Sequence, residues 1–128
     1  MIVLDASVLI AYLNPQDQHD ASAHSILYRS VSDEFLVSVV TMAEVLVGPT
    51  RSQRLDRAHT VLHELGLSTI GIDASAPTEL ARIQAETNLK LPDCCVLLAA
   101  EQTGGRLATF DARLADVARR RGLEVVTD

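Results

Sequence analysis

Short apolar runs rich in β-branched residues alternate with stretches of helical spacing along the whole chain, and this alternation restricts the fold more than any other feature. Residues 2–4 (IVL) are a buried-strand run, and a helix is expected over 6–13, stopping at Asn14-Pro15. A helix over 20–31, with Ala23, Ile26, Leu27 and Val31 on one side, and a strand over 35–40 follow. Thr41 opens a helix that ends near Gly48-Pro49, and 52–65 reads as another, stopped by Gly66. Then come a strand over 69–72, a helix over 75–87, and a helix starting at Leu91-Pro92-Asp93, with the proline at its first position. The body of that helix, 94–100, is apolar all round and is expected to be deeply buried; Gly104-Gly105 ends it. A strand over 106–110, a helix over 112–121 and a strand over 123–126 complete the chain.

Strands alternating with helices in this way predict an α/β fold, an α/β/α sandwich around a mainly parallel sheet of about five strands. The length of 128 residues suits one domain, 1–128, and no repeat, linker or low-complexity tract divides it. In such sheets ligands bind beyond the carboxyl ends of the strands, at the switch in strand order.

Four carboxylates stand where that rule points. Asp5 follows the first strand, Glu44 lies one turn into the helix after the second, Asp93 opens the buried helix, and Asp111 follows the strand at 106–110. Each alone has a plain structural role. Asp5 and Asp111 can cap helices, Thr41 and Glu44 fit a capping box, and Asp93 suits a helix dipole. Together they sit in strongly apolar sequence (IVLDASVLIA, TMAEVLV), where crowded carboxylates must take up protons or bind a cation. Oxygen ligands of this kind suit a hard divalent ion, Mg²⁺ or Mn²⁺. Zinc would call for a Cys/His set that the chain lacks.

Charge excludes a simpler nucleic-acid reading. Lys+Arg total 11 against 17 Asp+Glu, a net charge of −6, so the chain is no broadly basic phosphate binder. Two Phe, two Tyr and no Trp leave no stacking platform for single strands. Arg51, Arg54 and Arg57 form one basic group and Arg119, Arg120 and Arg121 another; each reads either as a solvated face or as a contact for phosphate. His59 and His63 read as a solvated helix flank, and His19 and His24 as exposed. Ser7 lacks the G-x-S-x-G setting of a nucleophile. Cys94-Cys95 reads as a buried pair of thiols. Nothing at the N-terminus resembles a secretory signal, and no apolar run reaches the ~20 residues that span a bilayer, so a soluble, cytoplasmic chain is expected.

DASVLIAYL, TMAEVLVGP, LPDCCVLLAA and LATFDARL, taken in order, resemble the PIN-domain family, and in particular the VapC-like toxins of type II toxin–antitoxin modules. Each block is a weak signal and the ordered set is a strong one, spanning nearly the whole chain. The resemblance implies a divalent-metal-dependent endoribonuclease. Its acidic quartet falls on Asp5, Glu44, Asp93 and Asp111 as metal ligands and catalytic residues, and its hydroxyl residue falls on Thr109. Asp116 lies where some members carry a further acid, and otherwise reads as a solvated helix residue. The resemblance also implies an RNA substrate, a cognate VapB-like antitoxin and a homodimer. Two other classes compete: a non-catalytic interaction module on the same fold, and an aspartate-nucleophile phosphatase. Against the latter, Asp5-Ala6-Ser7 lacks the second Asp of D-x-D, and the only lysine, Lys90, does not follow a strand end.

Overall fold

The computed structural model describes residues 1–128. Five strands form one all-parallel sheet: β1 (Ile2–Leu4), β2 (Phe35–Ser38), β3 (Ser68–Ile70), β4 (Arg106–Ala108) and β5 (Val125–Val126). Their order is β3-β2-β1-β4-β5. The chain therefore moves outward from β1 on one side, then returns to lay β4 against the other side of β1. The switch crevice opens between the carboxyl ends of β1 and β4.

The expected sandwich is present. Alternate side chains of each strand enter opposite cores, as the two-residue period requires. Ile2, Leu4, Phe35, Val37 and Ala108 pack under α1 (Ala6–Leu13), α2 (Asp20–Arg29), α3 (Val39–Arg51) and α4 (Leu55–Glu64). Val3, Leu36 and Leu107 face α5 (Ala76–Thr87), α6 (Leu91–Thr103) and α7 (Ala112–Arg120). The all-apolar helix expected at 94–100 is the body of α6, and each of those residues is buried. Helix α6 lies across β1, β2 and β4 and touches α3 and α5, so it has no solvent face along that stretch. No helix is long and apolar enough to cross a membrane.

Several boundaries differ from the sequence reading. Helix α2 stops at Arg29, and Val31, expected on its inner side, is 78% exposed. Strand β2 ends at Ser38, the last residue paired with β3; Val39 and Val40 begin α3 despite their β-propensity. Helix α3 runs through Gly48-Pro49 to Arg51. The Thr50 and Ser52 hydroxyls donate to the carbonyls of Leu46 and Gly48, at 2.7 and 3.1 Å, and close the last turn that the proline weakens. Helix α4 starts at Leu55, not at 52, after the turn in which Gln53 takes φ 59°. Strands β3, β4 and β5 are each shorter than or shifted from the expected 69–72, 106–110 and 123–126. Leu91, not Pro92, is the first residue of α6.

Candidate metal centre

Asp5 is built into the crevice by both strands that flank it. Its N–H donates to the Ala108 carbonyl at 3.0 Å, extending the β1–β4 ladder by one residue. The backbone then turns into α1 with Asp5 at the N-cap position, yet its side chain caps nothing. The hydroxyls of Ser7 and Thr109 both donate to Asp5 Oδ2, at 2.8 and 2.7 Å. Asp5 is 6% exposed, and its Oδ1 accepts no hydrogen bond from the protein. A nearly buried carboxylate turned away from its own helix end is not a cap.

Thr109 and Ser7 are themselves fixed. Thr109 Oγ1 accepts from the Asp111 N–H, and Ser7 Oγ from the Phe110 N–H, both at 3.0 Å. These two hydroxyls tie the loop after β4 to the start of α1. Ser7, set aside as a nucleophile in the sequence, is thus a positioning residue for Asp5, and only the spatial approach of β1 and β4 reveals it. Ser7→Ala removes one bond to Asp5 and strands the Phe110 N–H. We expect a loss of about 1–3 kcal/mol in urea unfolding and a fall of about 10–100-fold in any activity that depends on Asp5. An unchanged urea midpoint would show that this linkage carries no stability.

Asp111 does cap its helix, as expected. Its Oδ1 accepts from the N–H groups of Arg113 and Leu114 at 2.9 and 3.0 Å, leaving Oδ2 free. Asp93 stands in the first turn of α6, half-buried. Glu44 is exposed on α3, and the expected Thr41–Glu44 capping box does not exist. Thr41 is inside the helix and fully buried, and its hydroxyl has no partner.

The four acids share one electrostatic field. Burial, then the charges of Asp5 and Asp111, push the Asp93 carboxyl above its ordinary range, against the pull of Lys90 and Arg113. Partial desolvation, then Asp5 and Asp93, push Glu44 up as well, again opposed by Lys90. Lys90 and Arg113 are therefore the cations whose charge opposes that of the acids. The carboxylates are neighbours in charge but are not drawn into a coordination shell: no three His, Cys, Asp or Glu groups stand close enough together to hold an ion as they lie. The donor chemistry nevertheless fits a hard divalent cation. All four groups are carboxylates, two resist ionising beside one another, and Asp5 and Asp111 each keep one oxygen free.

The remaining candidates separate clearly. Asp116 is exposed and paired with Arg120, so it is a solvated helix residue. Arg121 is clamped by Glu86 and Glu101 at 2.9 and 2.6 Å, which holds its guanidinium charged and removes it from any ligand role. His24 is exposed beside Tyr12, as expected, but His19 is half-buried, because its ring stacks on Phe110 at 4.5 Å. His59 and His63 are exposed on α4 and line an open groove of about 550 Å³ with Met42, Leu46 and Leu67. Cys94 and Cys95 are buried free thiols, and burial pushes both up and keeps them protonated.

Solved structures share this architecture. VapC20 of Mycobacterium tuberculosis, a sarcin–ricin loop cleaving toxin, aligns over 100% of both chains with a TM-score of 0.81 at 16% identity. A toxin–antitoxin complex from Klebsiella pneumoniae aligns over 99% of this chain and 97% of that one, with a TM-score of 0.78 at 25% identity. FitAcB from Neisseria gonorrhoeae aligns over 99% and 97%, with a TM-score of 0.75 at 20% identity. No curated protein sequence matches the chain. The PIN domain model matches residues 2–120, a span that takes in all four crevice acids and both hydroxyls that hold Asp5, and on that match the chain belongs to the PIN domain family.

Proposed function

We propose that the chain is a divalent-metal-dependent endoribonuclease, the toxin component of a VapBC-like type II toxin–antitoxin module, with residues 1–128 as one nuclease domain. Asp5, Glu44, Asp93 and Asp111 are its metal-binding and catalytic acids, and Thr109 holds Asp5 in place. The observation that carries this reading is the diversion of Asp5: both hydroxyls bind Oδ2 and none of its capping capacity is used. The toxin and toxin–antitoxin structures that share the fold support the same class.

Asp5, Glu44, Asp93 and Asp111 would hold Mg²⁺ or Mn²⁺, which would supply Lewis acidity toward the phosphate and a lowered pKa for water. The chain's own residues do the rest. Ser7 and Thr109 lock the Asp5 rotamer, so its free oxygen points where the protein leaves it no partner. The amide groups at the start of α7 lock Asp111 in the same manner. Lys90 and Arg113 place positive charge beside the acids, where an incoming phosphate carries negative charge. Attack by water on phosphorus breaks the bond to the 3′ oxygen and leaves a 5′-phosphate and a 3′-hydroxyl. The acidic crevice is also a receptor for a guanidinium group, the feature by which a cognate VapB-like antitoxin would block it. A homodimer working in the cytoplasm completes the reading.

The test uses total cellular RNA with Mg²⁺, Mn²⁺ or EDTA, and the wild-type chain beside Asp5→Ala. Cleavage is expected only with the wild type and a divalent ion. Equal cleavage by Asp5→Ala, or cleavage in EDTA, overturns the proposal.

A further inference from the structure

The arginines divide sharply by partner. Arg29, Arg82, Arg106, Arg120 and Arg121 each meet a carboxylate, and Arg113 reaches the carbonyls of Thr87 and Asn88. Four arginines are exposed and join no hydrogen bond or ion pair through their side chains: Arg119 is isolated near the end of α7, where its neighbours Arg120 and Arg121 are both paired, whereas Arg51, Arg54 and Arg57 stand together, although Asp56 lies between two of them. These three cluster at the turn between α3 and α4. That turn is closed by backbone bonds from Ser52, Gln53 and Arg54 to the end of α3, so the cluster has a fixed base.

Helix stabilisation does not explain the cluster. Arg51 ends α3, where a cation is favourable. Arg54 and Arg57 occupy the N-cap and first turn of α4, the positive end of its dipole, where cations are unfavourable. Two unpaired cations at the positive end of that dipole carry a local cost that an external anion would offset. The cluster also lies in line with the crevice. Arg51 is seven residues beyond Glu44 on the same helix, two turns along one face, about 10 Å away along the axis. Gly48, between them on that face, has open space where a Cβ would stand.

From this we propose that Arg51, Arg54 and Arg57 form a second contact for RNA, binding backbone phosphates beyond the one hydrolysed and so fixing how the strand crosses the crevice. The proposal rests on the ribonuclease reading and extends it. These side chains bind the substrate and do not touch the reacting atoms.

The test measures binding of a short, labelled, mixed-sequence single-stranded RNA in EDTA by fluorescence anisotropy, from roughly 50 to 200 mM salt. The Arg51→Ala/Arg54→Ala/Arg57→Ala variant should bind more weakly, and its slope of log K against log salt should be shallower by about 2, from about 0.7 per lost contact. The Arg→Lys triple variant should keep the wild-type slope, and so should a variant losing Arg29, Arg82 and Arg120. Circular dichroism melting should not fall with the alanine substitutions, because no side-chain bond is removed and two cations leave the positive end of the α4 dipole. An alanine variant with wild-type affinity and slope overturns the proposal alone, provided that the wild type cuts total RNA. A wild type that neither cuts nor binds RNA overturns the ribonuclease reading with it.

Discussion

Exchanging Asp93 for Asn should abolish RNA cleavage and raise the melting temperature of the metal-free chain. Removing one charged oxygen donor from a hard-cation site should cost about 3–4 kcal/mol of transition-state stabilisation, or about 10²–10³-fold in rate. The stability effect has the opposite sign. Burial, Asp5 and Asp111 together outweigh Lys90 and Arg113 and disfavour the Asp93 charge, so a neutral isostere relieves the folded state. A purely structural Asp93 would behave differently: loss of a favourable helix-dipole charge lowers stability by about 0.3–1 kcal/mol and leaves cleavage intact. Thermal melting and an RNA gel on one preparation separate the two. Opposite movements of stability and activity mark a site that holds strain for function.

The same repulsion sets a pH dependence. Asp93 and Glu44 have raised folded values, so the native state binds more protons than the unfolded one between their ordinary values, 3.8 and 4.5, and those raised values. In that window stability falls as pH rises, and the penalty is complete only above the raised values. Asp73 and Asp128 work the other way. Hydrogen bonds from Ser75 and from Ser22 and Ser25 hold them low, so their contribution is lost as pH falls below about 3.8. Metal-free stability should therefore pass through a maximum on the acid side of neutrality. Mg²⁺ should reverse the decline above it, because the ion binds the deprotonated acids. At one hundred times its dissociation constant it adds about 2.7 kcal/mol. Urea midpoints at pH 5 and 8, with Mg²⁺ and with EDTA, give the comparison. A midpoint at pH 8 that Mg²⁺ does not move would contradict it.

The sheet, its sandwich of helices and the places of the four acids along the elements were legible because each rests on a local pattern. Apolar residues at 2–4 and 107–108 mark doubly covered strands, and the stretch at 94–100, apolar all round, marks a buried element. What escaped the pattern depends on contacts between distant segments. Ser7 and Thr109 are 102 residues apart and meet only because β4 returns to lie beside β1. His19 is half-buried through a ring stack on Phe110, which no spacing encodes. Val39 and Val40 look like strand residues and are helical, because the β2–β3 pairing ends at Ser38 and Ile70 and α3 begins at once. The capping explanations also resolve only in three dimensions. Asp111 caps its helix, Asp5 does not, and Thr41 sits one turn too deep to do so.

Mn²⁺ binding, followed by electron paramagnetic resonance of the free ion, tests most directly whether the four acids form one metal centre. The wild-type chain should take up Mn²⁺, and Asp5→Asn, Glu44→Gln, Asp93→Asn and Asp111→Asn should each weaken uptake by about tenfold or more. A wild type that leaves the Mn²⁺ signal unchanged, or four variants that bind as well as it does, would contradict a shared centre and return each carboxylate to a separate role.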